Sequence, residues 1–201
     1  SFMMLANTGH RNANPYTFCY RTMSGELFLI KDKEKRMHSS IRVIDIAELM
    51  KEQLEEYFTF CKYVASSIQG ENFKHIKEHL KEISLDKPTP LATFGFINEH
   101  AEWRPVSHEL ILKYLGWDHK LPENLFRHAF SSYLRKVNKG ELASNISGRV
   151  SHSEHQLCRH SPFTIVAMKN NVLGDFLQRL GFKLIKNNYH VSKRSKLSSN
   201  K

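Results

Sequence analysis

Arg11, Lys33, Arg127 and His152 are the side-chain types that together grip a phosphate and protonate its leaving oxygen. A guanidinium offers a planar fork that matches two phosphate oxygens. A lysine ammonium or a histidine imidazole can stabilise developing negative charge or pass a proton to an alkoxide. Arg11 follows Thr8-Gly9-His10 at the end of an apolar stretch, and Lys33 lies in a charged segment between two apolar runs. Arg127-His128 sits early in an expected helix, and His152 follows a loop. Each has an ordinary alternative, a solvated arginine or a packed histidine. Spacing alone does not bring the four together.

A second constellation lies around the last of them. His152, His155, Cys158 and His160 form His-x2-His-x2-Cys-x-His, and imidazole with thiolate is a donor set for Zn²⁺. Structural zinc sites draw their ligands from two separated pairs, whereas this run is contiguous. The expectation is therefore no metal. His75 and His79, four residues apart on an expected helix, are expected at the surface.

The elements that must position these residues are legible from periodicity. Leu27-Phe28-Leu29-Ile30 and Ile41-Arg42-Val43-Ile44 flank the charged segment and predict a hairpin over 25–45. Leu49, Leu54, Tyr57, Phe58, Cys61 and Val64 recur at helical spacing, predicting a helix from Ile46 to Ile68 that Gly70 closes. A shorter helix fits Asn72 to Ile83, and Lys87-Pro88-Thr89-Pro90 breaks it. Phe94 to Arg104 reads as a short hairpin or a loop. Ser107 to Leu115 predicts a helix stopped by Gly116. From Leu121 a further helix is expected, with Phe126, Phe130, Tyr133, Leu134 and Val137 as its inward stripe. Glu141 to Ile146 fits one short helix, and Val172 to Leu180 another that ends at Gly181. The predicted fold class is mainly α with a small antiparallel β-hairpin sheet. The predicted organisation is one domain over 1–182 and a basic, mobile tail over 183–201 that carries six lysines and arginines and no acid.

Composition narrows the class of partner. The 201 residues suit one core, and 40% hydrophobic with 25% charged content argues against disorder. No run approaches the roughly 18 apolar residues of a membrane span, so no membrane partner is expected. Cys19, Cys61 and Cys158 are odd in number and widely spaced, which predicts reduced thiols and a cytoplasmic setting. The opening residues read as the middle of a helix, so the numbering is expected to start inside a longer protein. A net charge of +10 favours a polyanion.

Four segments in register resemble the catalytic domain of tyrosine recombinases, the phage-integrase family. Thr8-Gly9-His10-Arg11 resembles its first-arginine box, and the run Leu27 to Lys33 with Ile41-Arg42-Val43 resembles the hairpin that carries its lysine. Lys33 is the best match there, with Lys31 and Lys35 as competitors. Leu125-Phe126-Arg127-His128-Ala129-Phe130 is similar to the second-arginine box, and Ile146 to His152 to the segment with its third-box histidine. The resemblance covers nearly the whole chain. It follows most closely a divergent bacterial subgroup of integrase-like proteins.

The resemblance implies double-stranded DNA as partner, a homo-oligomer on DNA, and strand exchange through a phosphotyrosine link. It implies no cofactor and no small-molecule substrate. Arg11, Lys33, Arg127 and His152 would be catalytic, and Arg11, Asn124, Arg127 and His128 would hold DNA phosphate. The chain departs from the pattern at Asn124, where the family has a histidine, and at Ser151, where it has a glycine. It departs again at the nucleophile: no tyrosine lies between Tyr133 and Tyr189, and Ser161 or Phe163 occupies the expected region. Three sources of the attacking hydroxyl follow, namely Tyr189, a neighbouring protomer, or a tyrosine replaced at Phe163. Two other functions stand beside strand exchange: a non-catalytic DNA-binding relative that keeps the phosphate grip, and a zinc-stabilised interaction module.

Overall fold

The computed structural model describes residues 3, 22–23, 27–31, 41–85, 93–106, 110, 113–114, 116, 122, 125–140, 143 and 172–186. These residues form a mainly helical structure with small antiparallel sheets. In chain order the elements are β1 (Thr22–Met23), β2 (Leu27–Lys31), β3 (Ile41–Asp45), α1 (Glu48–Ser67), α2 (Lys74–Ser84), β4 (Gly95–Ile97), β5 (Trp103–Pro105), α3 (Leu125–Lys136) and α4 (Val172–Arg179). A single 3₁₀ turn, Glu71–Phe73, leads into α2.

The predicted hairpin is present. β2 pairs antiparallel with β3 from Leu27↔Asp45 to Lys31↔Ile41, and β1 adds a two-residue outer strand that periodicity is too short to reveal. β3 delivers Ile44 into the interior, and Ile46 and Ala47 continue the buried run into the start of α1.

α1 is built from strong helix formers, Glu48-Leu-Met-Lys-Glu-Gln-Leu, with Glu48 complementing the positive end of the helix dipole. Its buried residues, Met50, Leu54, Cys61 and Ala65, recur at four and seven residues, which is one face of a helix. Leu49, Tyr57, Phe58 and Val64 pack beside that face half-buried. The Ser66 and Ser67 hydroxyls both donate to the Tyr63 carbonyl, and Ile68 leaves in extended geometry. Such back-bonding hydroxyls compete with the helical ladder and favour its end there, two residues before Gly70.

Two apolar clusters share α1. The first joins its N-terminal half to Ile44, Phe94, Phe130, Leu134, Leu173, Phe176 and Leu177. The second joins Cys61 and Ala65 to Ile76, Leu80 and Ile83 of α2. Tyr57 and Phe58 touch both clusters, and the Tyr57 hydroxyl donates to the Thr93 carbonyl at 2.6 Å. His79 corrects the expectation of a surface position. It is 4% exposed, because Ile76, His79, Leu80 and Ile83 make the i, i+3, i+4, i+7 stripe that α2 turns inward, while His75 is exposed.

The segment 94–104, ambiguous in sequence, is a hairpin. β4 and β5 pair from Gly95↔Pro105 to Ile97↔Trp103, and Val106 N–H donates to the Phe94 carbonyl beyond them. Asn98 closes the loop: its Oδ1 accepts from the amides of His100 (3.1 Å) and Glu102 (2.8 Å). Glu102 in turn accepts from Asn98 and Arg104, and those two partners hold its carboxyl below the usual carboxylate range.

Trp103 folds over Gly95 and meets the edge of His79 at 4.9 Å between ring centroids, tying the hairpin to α2. A Cβ at position 95 would collide with the indole and come within 2.6 Å of the Arg104 carbonyl oxygen. Gly95→Ala is therefore expected to destabilise the protein by about 1–3 kcal/mol, the usual cost of overpacking. Urea denaturation measures it, and a change within ±0.3 kcal/mol would contradict this account of the close approach.

Candidate nucleic-acid interface

α3 carries the one expected site arginine that lies among the described residues. It begins where Leu125 N–H donates to the Pro122 carbonyl at 2.9 Å. Its inward face is Arg127, Phe130 and Leu134, at i, i+3 and i+7. Phe126, Tyr133 and Val137 of the expected stripe are half-buried beside it. Arg127 is 5% exposed, so a group that stays charged at any ordinary pH sits with the core residues rather than in solvent. Burial of that kind is tolerated only with hydrogen-bonding or charged partners. His128, the next residue, is exposed. The pair Arg127-His128 is thus split, one side chain inward and one outward.

α4 holds α3 in place. The Phe176 ring lies 5.0 Å from Phe130 and 5.4 Å from Tyr133, and the Arg179 guanidinium stands over the Tyr133 ring at 5.5 Å. Both helices end in the same hydrogen-bonded cap. After α3, Lys139 N–H donates to the Leu134 carbonyl and Asn138 N–H to that of Arg135, with Asn138 left-handed at φ 57°. After α4, Phe182 N–H donates to Leu177 and Gly181 N–H to Gln178, with Gly181 at φ 77°. This is the Schellman pairing, which reverses the chain and, after α4, presses an apolar residue back on the helix. Phe182 accordingly packs on the core, 6.4 Å from the ring of Phe126.

Charge is unevenly divided between these elements. Residues 48–84 hold seven glutamates against five lysines, so α1 and α2 are balanced to slightly acidic. Residues 125–140 hold Arg127, Arg135, Lys136 and Lys139 and no acid, and residues 172–186 hold Arg179, Lys183 and Lys186 against Asp175 alone. Apart from Arg127 and the half-buried Lys139, these cations are exposed. Some serve the helix ends, where Arg135, Lys136 and Arg179 complement the negative pole of the dipole. Their combined excess goes beyond that need, so α3 and α4 carry a net positive charge that α1 and α2 lack.

Arg11, Lys33, Asn124, His152, Phe163 and Tyr189 lie outside the described residues, as do His155, Cys158 and His160 of the histidine-rich run. Among the described residues no group of three or more histidine, cysteine or acidic side chains is placed to hold a metal. No helix among them is long and apolar enough to cross a membrane.

Cys61 is the nucleophilic side chain in the described interior, and burial disarms it. Loss of solvent pushes its thiol from 9.0 up to about 12, the Tyr57 hydrogen bond opposing this. The folded thiol therefore holds its proton more tightly than the unfolded one. Its contribution to stability is whole below pH 9 and is lost as the pH rises from 9 towards 12. Stability of the unsubstituted chain is expected to fall with a slope steeper than that of Cys61→Ala by up to about 1.4 kcal/mol per pH unit above 9. Chemical denaturation at stepped alkaline pH measures the difference, and parallel slopes would refute it.

Comparison with models of protein families, with curated protein sequences and with solved structures finds no match to this chain.

Proposed function

We propose that this chain binds double-stranded DNA and belongs with site-specific recombination, as an integrase-like catalytic domain whose tyrosine position is occupied by Phe163. The observation that carries the reading is the arginine-bearing, acid-free α3, whose exposed Arg135 and Lys136 are matched by exposed Arg179, Lys183 and Lys186 in and after α4. It matches the place that the resemblance gives to Leu125-Phe126-Arg127-His128, with the Arg127 side chain fixed by the core and not free in solvent. On this reading Arg11, Lys33 and His152 complete the phosphate site, with Asn124 and His128 at its edge. The chemistry, where a tyrosine is supplied, is attack of its oxygen on phosphorus with release of a 5′-hydroxyl. The phosphotyrosine link conserves the bond for rejoining, and the reaction uses neither metal nor nucleotide cofactor. A second reading is favoured by the absence of tyrosine between Tyr133 and Tyr189: a DNA-binding relative that keeps the phosphate grip without the chemistry.

Both readings require salt-sensitive duplex binding. Contact with about four phosphates predicts a loss in affinity on the order of a hundredfold between 50 and 200 mM salt. Replacing Arg135 and Lys136 with alanine is expected to lower the slope of log affinity against log salt by about two. Titration of a fluorescent duplex at four salt concentrations tests both. A flat salt response, or no binding at low salt, would remove the nucleic-acid reading.

A further inference from the structure

Beyond Phe182 the chain runs without regular structure from Lys183 to Lys186, and burial does little to hold it. Ile185 is 70% exposed, and both lysines are exposed. What holds the segment is Gln53, a residue of α1 that lies 132 positions earlier. Ile185 N–H donates to the Gln53 Oε1 at 2.8 Å, and the Gln53 Nε2 donates to the Ile185 carbonyl at 3.3 Å. A carboxamide satisfies the donor and acceptor of one residue at once, as a neighbouring strand would. The Schellman cap after α4 sets where the chain turns back, and Gln53 sets where it goes next. The two lysines flanking Ile185 are thereby aimed from a fixed stretch of main chain.

We infer that Gln53 is a positioning residue, fixing the main chain at Ile185 so that Lys183 and Lys186 meet a DNA backbone in one orientation. The inference rests on the duplex binding proposed above. An unrestrained segment would carry the same charge, yet it would lose conformational freedom on binding. Gln53 removes that loss beforehand, so its effect on affinity must run through the two lysines.

The test uses the full chain, the variant Gln53→Met, which keeps side-chain length without the amide, and Lys183→Ala/Lys186→Ala in both backgrounds. Gln53→Met is expected to speed hydrogen exchange at the Ile185 amide by about tenfold and to weaken duplex binding by about threefold. The double lysine replacement is expected to weaken binding about tenfold in the unsubstituted chain and only about threefold beside Gln53→Met. A merely structural glutamine would leave the lysine effect the same in both backgrounds, and that additivity would overturn the inference. An Ile185 amide that already exchanges freely in the unsubstituted chain would overturn it as well. Failure of the unsubstituted chain to bind duplex would overturn the nucleic-acid reading and the positioning role with it. That outcome is distinguishable, because Ile185 exchange reports on the Gln53 contact without any DNA.

Discussion

A nicked duplex that traps covalent intermediates is expected to yield a protein–DNA adduct with Phe163→Tyr and none with the chain as it stands. A phenyl ring has no lone pair to offer phosphorus, and the hydroxyl of Ser161 is a weak nucleophile without an adjacent base. Removing a covalent nucleophile from an otherwise complete site costs on the order of 10⁶-fold in rate, so the contrast is effectively all or none. The substitution adds one oxygen to the same ring and changes no other residue of the phosphate site proposed above. Tyr189→Phe discriminates among the sources of the hydroxyl. Adduct in the unsubstituted chain that disappears only in Tyr189→Phe would assign the chemistry to Tyr189. Adduct in all three would move the nucleophile to a third position and sink the assignment to 163. No adduct in any of them, with duplex binding retained, would select the non-catalytic binder.

The second large effect concerns the packing of α4 on α3, the helix that carries Arg127. Phe176→Ala is expected to cost about 3–5 kcal/mol, because a fully buried aromatic leaves a cavity that the neighbours close only in part. Phe176 is 3% exposed and touches the rings of Phe130 and Tyr133, so it is a main contact through which α4 holds α3. A loss of that size is a large share of the roughly 5–15 kcal/mol that separates folded from unfolded in a typical domain. Phe176→Leu, which keeps most of the volume, is expected to cost less than half as much. Urea denaturation monitored by circular dichroism gives both values. A loss below 1 kcal/mol for Phe176→Ala would show that α4 does not brace α3.

Helix existence was legible because the inward stripes of α1 and α3 repeat over three or more turns, and the two-turn α4 carries its own stop signal in Gly181. The β2–β3 hairpin was legible from two apolar runs of strand length flanking a charged turn. The hairpin of β4 and β5 was not, since three-residue strands present too few alternations to outweigh a loop. His79 misled because a histidine at helical spacing carries no mark of which side it faces. Only the positions of Ile76, Leu80 and Ile83 around it decide that. Arg127 could be read as a phosphate ligand by type, but its burial is a product of tertiary packing, as the half-buried Phe126 and Tyr133 on either side show. Gln53 gave no signal at all: its partner is a main-chain peptide far along the sequence, and main chain has no residue type to read.

The packing of Trp103 also gives the molecule an optical handle. The chain has two tryptophans, and this one is wedged between a glycine that leaves it room and the imidazole edge of His79. Indole emission shifts to the red when the ring passes from an apolar contact into water. In a chain whose Trp117 is replaced by phenylalanine, emission from Trp103 would therefore report the lifting of the β4–β5 hairpin from α2. It would do so separately from loss of helix as a whole, which circular dichroism follows. Red shift and loss of helicity would coincide in a single cooperative unit and part company if the two apolar clusters on either half of α1 melt in sequence.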